Sequence, residues 1–74
     1  MSEKIKISLA AWRVNAGYTQ EDVARKMDVT KQTIISWEKG KRLPGIPELN
    51  MLANIYGTST DNIFLKTNST KSRA

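Results

Sequence analysis

The chain has 74 residues with no cysteine and no histidine. It therefore builds one small domain without a disulfide staple or a thiolate metal site, and it lacks the commonest general base and zinc ligand. Its 12 basic and 7 acidic residues leave a net charge of +5, which suits either simple solubility or a polyanionic partner. No apolar run approaches the roughly 18 residues of a membrane span, and the N-terminus MSEKIKIS has no signal-peptide apolar core. The cytoplasm is the expected compartment, with no membrane, metal or cofactor involved.

Residues 1–7 read as a flexible N-terminal arm. A first helix is expected from about Ser8 to Ala16, where Leu9, Trp12 and Ala16 recur at helical spacing and Gly17 follows as a stop. A second begins at Thr19: Thr19 with Asp22 three residues on is a capping-box arrangement, and Glu21 and Asp22 suit the positive end of the helix dipole. Val23, Ala24 and Met27 form its inward stripe. Asp28 and Val29 make a short turn. Thr30 then caps a third helix that runs to about Lys39 and ends at Gly40. The segment KGKRLPG, Lys39 to Gly45, reads as a basic loop.

A fourth helix starts near Ile46, with Pro47 suited to a first turn and Leu49, Leu52, Ala53 and Tyr56 on the buried face. Gly57 ends it. Ser59 or Thr60 is expected to cap a short fifth helix carrying Ile63 and Phe64, and residues 66–74 read as a polar, disordered tail. No strand of useful length is expected. The sequence thus predicts an all-α, compact five-helix bundle over residues 8–65.

The third helix divides cleanly when drawn as a wheel at about 100° per residue. Ile34 and Trp37 share one face for burial, while Lys31, Gln32, Ser36 and Lys39 lie on the other. A polar face of this kind is by default a solvated one. The charge distribution speaks for more. All cations but Lys66, Lys71 and Arg73 fall within residues 1–42, and residues 43–65 hold only Glu48 and Asp61 as charges. A basic region beside a nearly neutral one is the footprint of a nucleic-acid binder.

Trp12-Arg13, the segment NAGYTQEDVARKMDVT (Asn15 to Thr30), the segment TIISWEKGKRLP (Thr33 to Pro44), and Leu49, Leu52 and Ala53 follow one another at distinctive spacing. Over about residues 9–65 the chain resembles the phage repressor and Cro-like helix-turn-helix family of the xenobiotic-response-element type. The resemblance implies a five-helix DNA-binding domain whose third helix lies in the major groove. It implies base contacts from Lys31, Gln32 and Ser36, whose donors and acceptors suit guanine and adenine edges. Phosphate contacts are expected from Gln20, Thr30, Lys39, Lys41 and Arg42, and these position the protein without reading sequence. Arg13 and Glu38 match a pair that forms an internal salt bridge in some members. Gly57 to Leu65 matches the dimerisation region, so a homodimer, weak without DNA, is expected on a partly palindromic operator. The resemblance further implies a stand-alone regulator of the phage or prophage kind that represses by occupancy.

Two positions depart from the family pattern. Asp28 stands where the family often has a glycine in a left-handed conformation, so Asp28→Gly is expected to stabilise the domain. Ile35 lies in the middle of the outward face, where it either touches a thymine methyl or packs beside the end of the first helix. The aromatic residues Trp12, Trp37 and Tyr56 fall on inward stripes and read as core rather than as a stacking platform, while Tyr18 suits a place over the start of the second helix. An enzyme finds no support in these residues. A protein-interaction module such as an antitoxin remains the alternative from another class, although a partner-binding helix favours an exposed apolar stripe. RNA binding lacks a stacking sheet.

Overall fold

The computed structural model describes residues 6–66. The chain opens in a two-residue strand, β1 (Ile7–Ser8), and Ser8 then caps α1 (Leu9–Ala16) by accepting a hydrogen bond from the Ala11 amide at 3.1 Å. Thr19 and Asp22 form the reciprocal capping box that opens α2 (Gln20–Met27). Thr30 caps α3 (Lys31–Lys39) through the Thr33 amide. Next comes α4 (Ile46–Tyr56), which starts with Pro47 in its first turn. Each stop in this series is a residue in the left-handed region. Gly17, Gly40 and Gly57 close α1, α3 and α4, and Asp28, with φ 59°, closes α2.

The helices enclose one apolar core. Leu9 of α1, Val23, Ala24 and Met27 of α2, Ile34 and Trp37 of α3, and Leu52, Ala53 and Tyr56 of α4 are all buried, together with Ile63. Val23, Ile34 and Leu52 are wholly enclosed. Side chains of this size each contribute about 1.5–3 kcal/mol when taken out of water, so these positions carry much of the drive to fold. Trp12, Ala16, Tyr18, Val29 and Leu49 pack around the margin. The inward stripes predicted for α2 and α3 are the buried ones, and the two helices pack against each other while α1 braces α3 and α4.

The expected fifth helix is replaced. After Gly57 the chain makes a single 3₁₀ turn, Thr60–Asn62, and then enters β2 (Ile63–Phe64), which pairs in parallel with β1 in the register Ile7 with Ile63 and Ser8 with Phe64. The physical reason lies in the competing partners. A three-residue turn is too short to overcome the cost of helix nucleation, and Ser59 supplies no side-chain cap. The Trp12 indole instead donates to the Asn62 carbonyl at 3.0 Å, and the extended segment buries Ile63 while turning Phe64 outward. Ile7, read in the sequence as arm, thus joins the folded unit. Lys6, also read as arm, is exposed and precedes β1, while residues 1–5 of the expected arm and residues 67–74 of the expected tail lie outside the described residues. Lys66, the first residue of that tail, has its backbone laid against Gly40.

Candidate nucleic-acid interface

The site begins with the fixed placement of α3. Ile34 and Trp37 root it in the core, and Glu38 ties it to two other helices. Arg13 Nε stands 2.7 Å from Glu38 Oε2, and Nη2 donates to Oε1 at 3.3 Å, which makes a two-pronged contact with side chains only 15% and 7% exposed. Arg13 Nη1 also donates to the Tyr18 carbonyl at 2.9 Å. Gln20 completes the cluster, its amide nitrogen donating to Glu38 Oε1 at 3.0 Å. The hydrogen bond from Arg13 to Glu38 raises the guanidinium pKa above its usual value, against the opposing effect of burial. Loss of solvent pushes the neighbouring Tyr56 phenol up to about 12, with the Glu38 charge adding to it.

The opposite side of α3 faces out. Lys31, Gln32 and Lys39 are exposed and Ser36 is half-buried. Ile35 is half-buried on the same row as Lys31 and Lys39, four residues from each, and it is absent from the apolar residues that pack around the core. The chain beyond α3 folds back on it: the amides of Lys41 and Arg42 both donate to the Ser36 carbonyl, at 3.0 and 3.4 Å. This turn gathers Lys39, Lys41 and Arg42 at one end of the helix. Their charge also suits the negative end of the helix dipole.

At the other end, Thr30 spends its hydroxyl within the protein. It accepts from the Thr33 amide and lies 3.0 Å from the Thr33 hydroxyl. Gln20 likewise has its side-chain amide nitrogen committed to Glu38, which leaves its backbone N–H at the α2 N-terminus as the group that can face an anion. Of the residues picked from the sequence, Lys31, Gln32, Ser36 and Lys39 share one surface, Lys41 and Arg42 border it, and Arg13 and Glu38 brace it from behind.

Sequence reasoning missed one contact at this surface. Lys31 Nζ stands 2.9 Å from Glu21 Oε2, and the Lys31 ammonium holds the Glu21 carboxyl below its ordinary pKa. The sequence explained Glu21 by the helix dipole alone. Its second role depends on the angle between α2 and α3, which no local pattern reveals. On the far side of α2, Lys26 lies over the Tyr18 ring, 5.2 Å from its centroid, at the edge of a shallow cleft of about 430 Å³ lined by Gly17, Asp22 and Arg25.

Two short helices joined by a tight turn, with the second anchored by its apolar face and open along its polar one, define a helix-turn-helix domain. Comparison with known proteins agrees. The family model described as helix-turn-helix matches residues 9–63, and the chain belongs to this family, the phage repressor and Cro-like type, a DNA-binding and non-enzymatic group. An uncharacterized HTH-type transcriptional regulator of Methanocaldococcus jannaschii is 38% identical over 61 residues, covering 82% of this chain and 92% of its own. The HTH-type transcriptional regulator ImmR of Bacillus subtilis is 35% identical over 54 residues, 73% of this chain but only 42% of its own. The SPbeta prophage-derived HTH-type regulator YonR of the same organism is 39% identical over 49 residues, 66% of this chain and 45% of its own. Among the described residues, no helix is long and apolar enough to cross a membrane.

Proposed function

We propose that this protein is a sequence-specific regulator of transcription that binds double-stranded DNA in the cytoplasm and represses by occupying its operator. The observation that carries this reading is the outward face of α3: Lys31, Gln32 and Ser36 stand on a helix locked by the Arg13–Glu38 pair, with Lys39, Lys41 and Arg42 at its end. Laid in a major groove, Lys31 donates to guanine O6 and N7, Gln32 pairs with adenine N6 and N7, and Ser36 serves either. The Gln20 backbone N–H and the three cations after Ser36 hold the phosphates and fix the register, while Thr30, its hydroxyl turned to Thr33, serves as the cap of α3 rather than as a phosphate contact.

One such helix reads only a few base pairs, so the reading includes a homodimer on a partly palindromic site with half-sites about 34 Å apart. The segment Gly57 to Leu65 supports it. Phe64, 52% exposed at the end of β2, is an apolar side chain of the size that subunit interfaces cover.

The test is the salt dependence of duplex binding. Two copies bring about six cations to the phosphates, so the logarithm of the association constant should fall with the logarithm of salt concentration with a slope of roughly −5. A slope near zero contradicts the phosphate assignments.

A further inference from the structure

We propose that Glu21 is a specificity-determining residue, its carboxylate holding the Lys31 ammonium on the reading face of α3 and away from phosphate. The inference rests on the DNA-binding reading above and deepens it. Glu21 lies in the first turn of α2 and Lys31 opens α3, so the 2.9 Å contact spans the helix-turn-helix at the edge of the surface that faces the groove. With side chains 48% and 54% exposed, the pair is a surface ion pair. Such pairs contribute little to folding stability, and their effect falls on what happens at that surface.

The chemistry follows from what a lysine is. Its ammonium is a compact point charge on a flexible stem, with three donors and no preferred plane. Beside a duplex, a free ammonium reaches a phosphate oxygen as readily as a guanine edge, and the phosphate contact carries no sequence information. A carboxylate that accepts one of the three N–H groups changes both options. It cancels the charge that draws the lysine toward the backbone, and it repels the phosphates itself. Two donors are left, matching the O6 and N7 acceptors of guanine. The Glu21 carboxylate stands beside them as an acceptor, and the N4 amine of the paired cytosine is a donor. Donor and acceptor side by side on the protein thus complement the major-groove edge of a G·C pair.

The experiment compares the full chain with Glu21→Gln, Lys31→Met and the double variant. Each is measured on the duplex enriched by selection from random sequence, on that duplex with the Lys31-facing G·C replaced by A·T, and on random duplex across a salt series. Thermal melting checks that all four fold. Glu21→Gln should cut the preference for G·C at that one position by about fivefold or more, and it should steepen the random-duplex salt slope by about one for each bound copy as Lys31 is released to a phosphate. In the Lys31→Met background the same change should alter both by much less, leaving only the direct effect of the carboxylate on phosphate and cytosine. If Glu21→Gln shifts all duplexes by one common factor, or acts equally without Lys31, Glu21 exerts only a general charge effect and the proposal is overturned. If the wild type enriches a motif but prefers no G·C opposite Lys31, the proposal fails alone. If it enriches no motif, the DNA-reading function fails with it.

Discussion

Glu38 is held by Arg13 from α1 and by Gln20 from α2, so one carboxylate sets the positions of three helices. Such a buried pair gives modest net stability relative to a well-packed apolar pair, but removing one partner strands the other. Arg13→Met should therefore lower the unfolding free energy by about 3 kcal/mol, read from urea denaturation; a loss within the error of the measurement would mean that the pair does not organise the fold. Tyr56 reports on the same place. Its phenol is raised from 10.0 to about 12 in the folded chain, so the folded state holds the proton more tightly than the unfolded state. That contribution is complete below pH 10 and is lost as pH rises from about 10 to 12, a decline of roughly 2–3 kcal/mol. Tyr56→Phe should remove most of this alkaline decline, and an unchanged profile would assign it to other groups. Asp28 sits in the left-handed region with a φ of 59°, where a Cβ is unfavourable and its carboxylate stands at the negative end of α2. Asp28→Gly should raise the melting temperature by about 3–6 °C, and a fall would mean that the aspartate has a compensating partner.

Among the elements, the helices were legible because their start and stop signals are local. Thr19 with Asp22, Thr30, and the glycines at 17, 40 and 57 each act on a backbone within three or four residues, and each does in the structure what its spacing predicts. The end of the chain was not legible for the opposite reason. Ile63 and Phe64 look like either a last helical turn or a strand, and the choice is made by Ile7 and Trp12, more than fifty residues earlier. The Glu21–Lys31 contact and the commitment of Gln20 to Glu38 were hidden in the same way, since both span separate helices. Gly40 combines local and distant effects. Its φ of +80° favours glycine, and an added Cβ would also stand 2.8 Å from the Lys66 carbonyl oxygen, whereas Gly17, at φ +86°, has open space around it. Gly17→Ala should cost about 1 kcal/mol from the backbone alone. Gly40→Ala should cost roughly 1–3 kcal/mol more, from the displaced Lys66 backbone after β2. Equal losses in chemical denaturation would show that the segment after β2 yields without resistance.

At the scale of the molecule, the fold separates two tasks. The buried faces of α1 to α4 hold the domain together, and Lys31, Lys39, Lys41 and Arg42 place four exposed cations along α3 and the turn beyond it. The parallel pairing of β1 with β2 joins the two ends of the described chain on the side of α1. Phe64 is left exposed at that seam, which suits the proposed dimer contact. The central claim is that α3 reads bases while its basic end holds the backbone. It is tested most directly by selecting bound sequences from random duplexes with the wild type, Gln32→Ala and Lys41→Ala. The account predicts an enriched, partly palindromic motif for the wild type. Gln32→Ala should relax the preference at one base-pair position in each half-site, and Lys41→Ala should keep the motif while weakening all sequences alike. No enriched motif, or one that Gln32→Ala leaves unchanged at every position, would contradict it.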